Sequence, residues 1–319
     1  MLSLFYSFWY LAKSIYWFFP VQGTETPDFP QTFNALEITP LETTFTNHIP
    51  LDQNGGHLQG IQKYEDRLFL SGSSQIKSYM VEVKLNKDNQ TANIIELMPE
   101  PFRHAGGFQV FDHYLAVGIE DNIQRTISKV MVYDLAQNEN IWSQPLYAIQ
   151  REGEYERVTA GAVGITSYKE NMVLAVANWD SRDIDLYSCP LEAFNLKKGS
   201  FKLINSISTS SLPKENWSDP QWLSYQNINL FSDREGGLFL VGFAKDQQDR
   251  QVADLFELTF DLSGIENLAL RKLNSKVFQT TDGVDFKAGA GISVDKSGRI
   301  SLVACPYQIK ENTTINQFQ

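Results

Sequence analysis

Cysteine is scarce in this chain: Cys189 and Cys305 are the only two among 319 residues. Neither belongs to a C-x-x-C pair or has the spacing of zinc ligands, which excludes a cysteine-based zinc site and a thioredoxin-like redox motif. The internal repeat described below places the two residues in non-neighbouring units. We therefore predict two separate buried or half-buried thiols rather than a disulfide.

Basic residues are also few, with 27 lysines and arginines against 38 aspartates and glutamates and a net charge of −11. Such a surface repels phosphate backbones, so nucleic acid is not expected among the partners. The catalytic signatures G-x-S-x-G and H-E-x-x-H are absent, and the glycine-rich strings lack the following helix that a nucleotide site needs. The motifs therefore indicate no catalytic class, and they leave the cofactor unknown.

Long apolar runs are absent except at the N-terminus. Residues 1–20 carry a single charge, Lys13, and the segment Val21-Gln22-Gly23 then offers small residues at plausible signal-peptidase positions. Because about 20 apolar residues can also span a bilayer, a cleaved signal peptide and a retained membrane anchor both remain open. A mis-assigned start codon would give the same pattern. We predict export (periplasmic, secreted or membrane-anchored), with 1–23 as the leader or anchor and 32–319 as a single domain.

What the sequence does contain is a repeat. Five segments share a glycine or small polar residue, a short polar turn, an apolar strand, a polar loop and an alternating strand. Their aligned starts lie near residues 57, 104, 161, 224 and 288, about 47 to 64 residues apart, which is the spacing of blade-like repeats. Amphipathic helical stripes are nearly absent, so the fold class is all-β.

Each copy divides into four short strands. In the first copy we predict strands at His57–Tyr64, Arg67–Ser73, Ser78–Lys84 and Ala92–Leu97. The fifth copy has room for only three, whereas the segment Thr32–Ile38 forms a spare strand before the first copy. Pairing of this strand with the last sheet would close a ring and remove the exposed edges. We therefore predict a five-bladed β-propeller of four-stranded antiparallel blades, the last blade closed by an N-terminal strand; a linear stack is the alternative.

The first strands of two copies share the pattern H-x-x-G-[IF]-Q, at His57–Gln62 and His104–Gln109, and apolar second strands follow. This repeat resembles that of uncharacterised exported bacterial β-propellers. The resemblance covers about residues 32–319 and implies the architecture alone. The Trp-Asp pair of WD repeats occurs once, at Trp179-Asp180 in a predicted loop, so no functional residues are carried over from that family.

Small residues recur where the first strands would crowd around the axis. A glycine without a side chain permits the close backbone approach that such strands need. A ring of polar side chains follows two residues later, and we expect these groups to be hydrogen-bonded near the axis. The glycines are Gly60, Gly107, Gly164 and Gly291, with Asn227 in the fourth copy, and the polar ring is Gln62, Gln109, Thr166, Asn229 and Ser293.

Candidate site residues lie on the loops that meet at one face of the predicted ring, at the mouth of its channel. His57 and His104 occupy equivalent positions on neighbouring first strands, where imidazoles could bind a metal, act as acid and base, or hold loop backbone by hydrogen bonds. Only two of the five equivalent positions are histidines, so no metal is predicted. The candidate channel-mouth residues are His57, His104, Asp52, Asp219, Asp285 and Arg103.

Two functions remain open at this stage. In the absence of a catalytic signature, the main hypothesis is an exported binding module that presents its loop face to a protein or glycan ligand. The alternative is a glycan hydrolase or lyase with a carboxylate or histidine site at the channel mouth, because Asp52, Asp219 and Asp285 lie on loops of different blades and could converge.

Overall fold

The computed structural model describes residues 26, 28–46, 56–85, 91–137, 141–260 and 268–319. The segment 1–23, for which a leader or anchor is predicted, and the candidate site residue Asp52 lie outside this part of the chain. Within it, no helix combines the length and the apolar character needed to cross a bilayer.

The described residues are almost entirely β-structure. In chain order the elements are α1 (Phe29–Ala35), β1 (Leu41–Thr46), β2 (His57–Tyr64), β3 (Arg67–Ser73), β4 (Lys77–Lys84), β5 (Thr91–Pro99), β6 (His104–Phe111), β7 (Tyr114–Glu120), β8 (Ile127–Asp134), β9 (Tyr147–Glu152), β10 (Ala162–Tyr168), β11 (Asn171–Ala177), β12 (Asp183–Pro190), α2 (Leu191–Asn195), β13 (Lys202–Ser208), β14 (Asn227–Ser232), β15 (Leu238–Lys245), β16 (Gln251–Thr259), β17 (Ala269–Phe278), β18 (Ala290–Val294), β19 (Ile300–Ala304) and β20 (Asn312–Phe318). Single 3₁₀ turns lie at Ile141–Ser143, Trp179–Ser181 and Thr209–Ser211.

The strands pair in fours, each group an antiparallel meander. The groups are β2-β3-β4-β5, β6-β7-β8-β9, β10-β11-β12-β13, β14-β15-β16-β17, and β18-β19-β20 completed by β1. They start where the sequence repeat predicts, and the four strands of the first copy match their predicted bounds to within two residues. Isolated pairs such as Ser73 with His104 link neighbouring groups.

The groups, or blades, form a closed ring. The first strands β2, β6, β10, β14 and β18 contact one another in succession, and β18 returns to β2. Five apolar clusters each fill the space between two neighbouring blades; one of them joins Phe45 and Ile315 of the last blade to Leu58 and Ile61 of the first. A linear stack would leave the first and last blades apart, so the predicted propeller is confirmed.

The closing strand lies later in the chain than predicted. Thr32–Ile38 is not a strand: Phe29–Ala35 forms α1, and Leu41–Thr46 pairs antiparallel with β20 instead. Asp28 caps this helix, since its Oδ1 accepts the backbone N–H of Gln31 at 2.9 Å, and a proline in the first turn favours the helical conformation. The ring of Phe29 then stacks on Phe231 of the fourth blade, with centroids 4.3 Å apart.

The glycines of the first strands lie in crowded positions, as predicted. A Cβ on Gly107 would lie 2.6 Å from the carbonyl oxygen of Gln226, and one on Gly291 would lie 2.4 Å from that of Ile61. Such distances would force the first strands of different blades apart at the axis. Cys189 and Cys305 are both buried and unpaired, which confirms the prediction of two separate thiols.

Candidate functional site

The loops that lead into the first strands and those that join second to third strands meet over the channel and enclose a depression of about 260 Å³. We call it the mouth pocket. Blades one to four all contribute to its walls. Its lining residues are His57, Gln59, His104, Asn122, Gly161, Asn178, Trp179, Asp180, Tyr225 and Gln226.

His57 and His104 stand side by side in this pocket, as the sequence led us to expect. Their ring centroids are 6.0 Å apart. The ring of Tyr307 stacks on that of His57, with centroids 4.8 Å apart and an interplanar angle of 11°. His104 is buried, and its Nδ1 lies 3.2 Å from Oε1 of Glu120. The two groups lie within ion-pair distance, although Nδ1 makes no hydrogen bond among the described residues.

Glu120, at the end of β7, is fully buried beneath the pocket. Its Oε2 accepts the backbone N–H of Ala160 at 2.6 Å, and its Oε1 accepts the indole N–H of Trp179. The guanidinium of Arg125 lies over the Trp179 ring, 3.8 Å from the centroid. Trp179 is therefore held at its edge by a carboxylate and on one face by a cation, so that its orientation in the pocket wall is fixed.

The loop that carries Trp179 has an unusual backbone. Asp180 and Ser181 have φ values of 60° and 52°, in the left-handed region that residues other than glycine rarely adopt. Asp180 is exposed, and its Oδ1 accepts hydrogen bonds from Ser224 and, at 3.1 Å, from Nε2 of Gln226. These contacts tie the loop to the fourth blade and hold the strained conformation in place. Backbone strain of this kind is concentrated at functional sites.

A second set of contacts fixes the rim of the mouth pocket, the name we give to the loops that carry Arg125, Glu156 and Arg182. Glu156 accepts hydrogen bonds from Arg125 and, at 2.7 Å, from Arg182, so that one carboxylate joins the loops of two blades. Those hydrogen bonds, first from Arg182 and then from Arg125, hold the pKa of Glu156 below its ordinary value. Arg125 and Glu156 also have left-handed φ values of 58° and 59°. The rim is thus kept in one conformation by charge as well as by packing.

The other residues selected from sequence lie outside the mouth pocket. Asp285 forms an ion pair with Lys245 at 3.1 Å, and Asp219 caps the backbone of Gln221 at 3.1 Å. Arg103 donates to the carbonyl of Gln75 at 2.5 Å and contacts Glu100. Asp219, Asp285 and Arg103 therefore contact partners of their own and are not among the residues that line the mouth pocket.

Sequence reasoning missed Trp179 and did not single out Glu120. Trp179 was set aside because its Trp-Asp pair does not recur, although it lies on one of the loops predicted to meet at the mouth. The usable signal was the position of that loop, between the second and third strands of its blade. Glu120 and Asp180 lay in the same class of loops, but nothing in the sequence distinguished them from other acidic loop residues.

Neither the mouth pocket nor any other part of the described chain groups three or more His, Cys, Asp or Glu side chains in an arrangement that could hold a metal ion. Amides, imidazoles and one exposed carboxylate line the pocket beside aromatic side chains, and these polar groups offer hydrogen bonds.

No protein-family model matches the chain, and no curated protein matches it. Among solved structures, it is similar to the catalytic domain of a family 62 α-L-arabinofuranosidase from Coprinopsis cinerea, at 9% identity over 86% of this chain and 96% of that one, with a TM-score of 0.45. An α-L-arabinofuranosidase from Podospora anserina, in complex with cellotriose, is 10% identical over 88% and 96% of the two chains, with a TM-score of 0.47.

A family 32 β-fructofuranosidase from Bombyx mori is also 10% identical, over 82% of this chain and 59% of that one, with a TM-score of 0.41. At such identities and TM-scores, no residue role is transferred from these enzymes. None of the comparisons supports the resemblance to exported bacterial propellers, and the propeller fold itself rests on the strand pairing described above.

Proposed function

We propose that this protein binds a glycan and that the mouth pocket takes one of its sugar rings. The pocket presents side-chain amides from Gln59, Asn122 and Gln226 and two imidazoles, beside the ring of Trp179. Neutral donors and acceptors next to an aromatic surface match a sugar, which has hydroxyls around its edge and apolar C–H faces. At about 260 Å³, the pocket is smaller than the roughly 300–1,000 Å³ of sites for drug-sized ligands, so one ring-sized unit fits.

The observation that carries the proposal concerns the hydrogen bonding of two polar atoms in the pocket wall. Oδ1 of Asn122 is buried and has no hydrogen-bond partner within the described part of the chain. Nδ1 of His104 is buried and also makes no hydrogen bond there, but the Glu120 carboxylate lies 3.2 Å from it. Buried polar groups in proteins are nearly always hydrogen-bonded to protein or to other molecules. Oδ1 of Asn122 is therefore an acceptor in the pocket wall that a ligand hydroxyl could satisfy.

Export, which residues 1–23 predict, would place the pocket where polysaccharides are found. The fixed positions of Trp179 and its loop add a second argument, because a preorganised wall lowers the entropy lost on binding.

The experiment is calorimetry or array binding of the purified protein with neutral and acidic oligosaccharides. Asn122→Ala removes the unpartnered acceptor Oδ1 and is expected to weaken binding about tenfold, the effect of about one lost hydrogen bond to a buried group. Asn93→Ala, on an exposed position of β5, is the matched control. Trp179→Ala is expected to abolish binding, and its melting curve separates loss of the pocket wall from loss of the fold.

Failure of every oligosaccharide to bind would contradict the proposal. Binding that Asn122→Ala and Trp179→Ala both leave unchanged would place the ligand elsewhere on the molecule.

Glycan hydrolysis is the second candidate function, and the carboxylates at the pocket favour it: Glu120 contacts His104 from below, and Asp180 is exposed at the rim. It is also the activity named for the solved structures above. Glycosidases use a pair of carboxyl groups about 5–9.5 Å apart, one on each side of the scissile bond. Release of reducing sugar that Asp180→Asn or Glu120→Gln abolishes, while binding persists, would establish an enzyme; binding without turnover supports the binding module.

A further inference from the structure

A second depression lies beside the mouth pocket, and we call it the basic pocket. It measures about 430 Å³ and is lined by Arg182, Asp183, Ser208, Thr209, Ser210, Lys214 and Trp222. The loop 178–183 separates the two depressions, since Asp180 lines one and Arg182 lines the other. On the opposite side, Trp222 of the basic pocket contacts Tyr225 of the mouth pocket, with ring centroids 4.8 Å apart.

The basic pocket has an excess of positive charge. Lys214 has no carboxylate within ion-pair distance in the described chain, and its Nζ lies 5.5 Å from the Trp217 ring centroid. Arg182 contacts Glu156 at 2.7 Å, but Glu156 is shared with Arg125, so that two guanidinium groups face one carboxylate.

The one acidic residue of the basic pocket is already engaged. Asp183 accepts a hydrogen bond from Nδ2 of Asn178 at 2.9 Å and lies 4.0 Å from Nε of Arg157. Arg157 is shared with Asp185, which it contacts at 2.5 Å, so the charge of Asp183 is compensated only in part. Two cations and one carboxylate thus line the basic pocket among the described residues, in a chain whose net charge is −11.

Hydrogen-bond donors accompany these cations. The hydroxyls of Ser208 and Ser210 are 3.2 Å apart on exposed residues, so that one of them donates to the other and the second hydroxyl hydrogen is left to donate outward. The indole N–H of Trp222 is buried and has no hydrogen-bond partner in the described chain. Cations together with neutral donors are the set that recognises a carboxylate or sulfate group.

We propose that the basic pocket binds the anionic group, a carboxylate or a sulfate ester, of an acidic glycan whose neighbouring sugar ring occupies the mouth pocket. This inference rests on the proposed glycan binding and names the class of glycan. The shared wall between the two depressions is what allows one oligosaccharide to reach both.

Pairs of ligands that differ only in charge test the proposal. Oligogalacturonides are compared with their methyl esters, and chondroitin sulfate oligosaccharides with their desulfated forms, by calorimetry at low and physiological salt. The first pair reports a carboxylate and the second a sulfate. The charged member of at least one pair is expected to bind about tenfold more tightly, with an advantage that decreases as salt screens the cations.

Lys214→Gln is expected to weaken binding of the charged member about five- to tenfold and to leave binding of the neutral member unchanged. Lys198→Gln is the matched control, because it removes the same charge from an exposed position on the segment between α2 and β13.

Equal affinity for both members of each pair, or equal effects of Lys214→Gln and Lys198→Gln, would overturn the inference. If the neutral members still bind in a manner that Asn122→Ala weakens, the proposed function stands while this inference fails. If no member of either pair binds, this inference fails, and the wider oligosaccharide screen decides the proposed function separately. Inorganic sulfate that binds at Lys214 without any glycan preference would show an anion site unconnected with glycans and would also overturn it.

Discussion

A few buried charges hold the loops around the mouth pocket, and Asp185 is the best example. Arg151 of the second blade and Arg157 of the rim both contact this carboxylate at 2.5 Å, and Ser206 donates to it at 2.6 Å. Burial alone would raise the pKa of Asp185, but the hydrogen bonds from Arg157 and Ser206 and the charges of Arg151 and Arg157 outweigh it, so its pKa is lowered. Asp185 is therefore ionised in the folded protein.

Asp185→Asn is expected to lower the free energy of unfolding by about 3–5 kcal/mol at neutral pH, because it leaves the buried guanidinium of Arg151 without its partner. The stabilisation by Asp185 is present above the unfolded-state pKa of about 3.9 and is lost as the pH falls through the lower folded-state pKa. Melting temperatures from about pH 2.5 to 7 should therefore converge for parent and variant in acid.

Glu257→Gln is the control for this prediction, because Glu257 pairs with Arg271 at 2.8 Å on the surface. A loss of less than about 1 kcal/mol is expected there. A variant of Asp185 that differs from the parent equally at every pH would show that the carboxylate does not act through its charge.

The candidate site was only partly predictable at the level of single residues. The repeat aligned His57 with His104, and their proximity followed from neighbouring first strands. Trp179 could not be found in the same way, because its position depends on the left-handed backbone at Asp180 and on the cation of Arg125. Contacts of that kind join loops of different blades, and one sequence carries no periodic signal for them.

Among the secondary-structure elements, β1 closes the ring, since it supplies the outer strand of the last blade. Its side chain Phe45 is 1% exposed and packs in the cluster between the last and first blades, with Ile315 and Leu58. The strand also covers the edge of β20, which would otherwise offer unpaired backbone groups to other chains.

Phe45→Ala is expected to lower the free energy of unfolding by about 3–5 kcal/mol, the usual cost of removing a large aromatic side chain from a core. Glu42→Ala, on the same strand but exposed, should change it by no more than about 0.5 kcal/mol. Chemical denaturation of the two variants and the parent provides the comparison. A small effect of Phe45→Ala would mean that the ring does not depend on β1 for closure.

The elements were predicted well where their pattern repeats and poorly where it does not. Five copies of an alternating pattern confirm one another, and so the strand bounds of the blades follow from the sequence. Thr32–Ile38 has an alternating pattern but no second copy. The helix signal upstream, Asp28 followed by Phe29 and Pro30, outweighs that alternation because it satisfies the first-turn N–H groups.

At the scale of the whole molecule, the ring is held at its axis by side chains that reach across the channel. Oε1 of Gln109, in the second blade, accepts the backbone N–H groups of Ile165 at 2.8 Å and Leu230 at 2.7 Å, and its Nε2 donates to the Leu230 carbonyl at 2.9 Å. Gln62 similarly donates to Asn229 at 3.1 Å. The predicted polar ring is thus a set of direct links between blades.

Gln109→Met keeps the volume of this side chain but leaves the two N–H groups of the third and fourth blades without an acceptor. Because each buried unsatisfied group costs about 1–3 kcal/mol, the free energy of unfolding should fall by about 2–5 kcal/mol. Gln150→Met, at an exposed position of β9, should have almost no effect. Thermal and urea denaturation measure both variants.

Measuring binding at the mouth pocket distinguishes two roles of Gln109: linking the blades at the axis, or positioning His104 within its own strand. Gln109 does not line the pocket, so Gln109→Met protein that is still folded at low temperature should bind oligosaccharide as the parent does. Loss of binding without loss of stability would mean that the axial link positions His104 in its strand rather than holding the blades together. Unchanged stability together with unchanged binding would assign the cohesion of the ring to the apolar clusters between the blades.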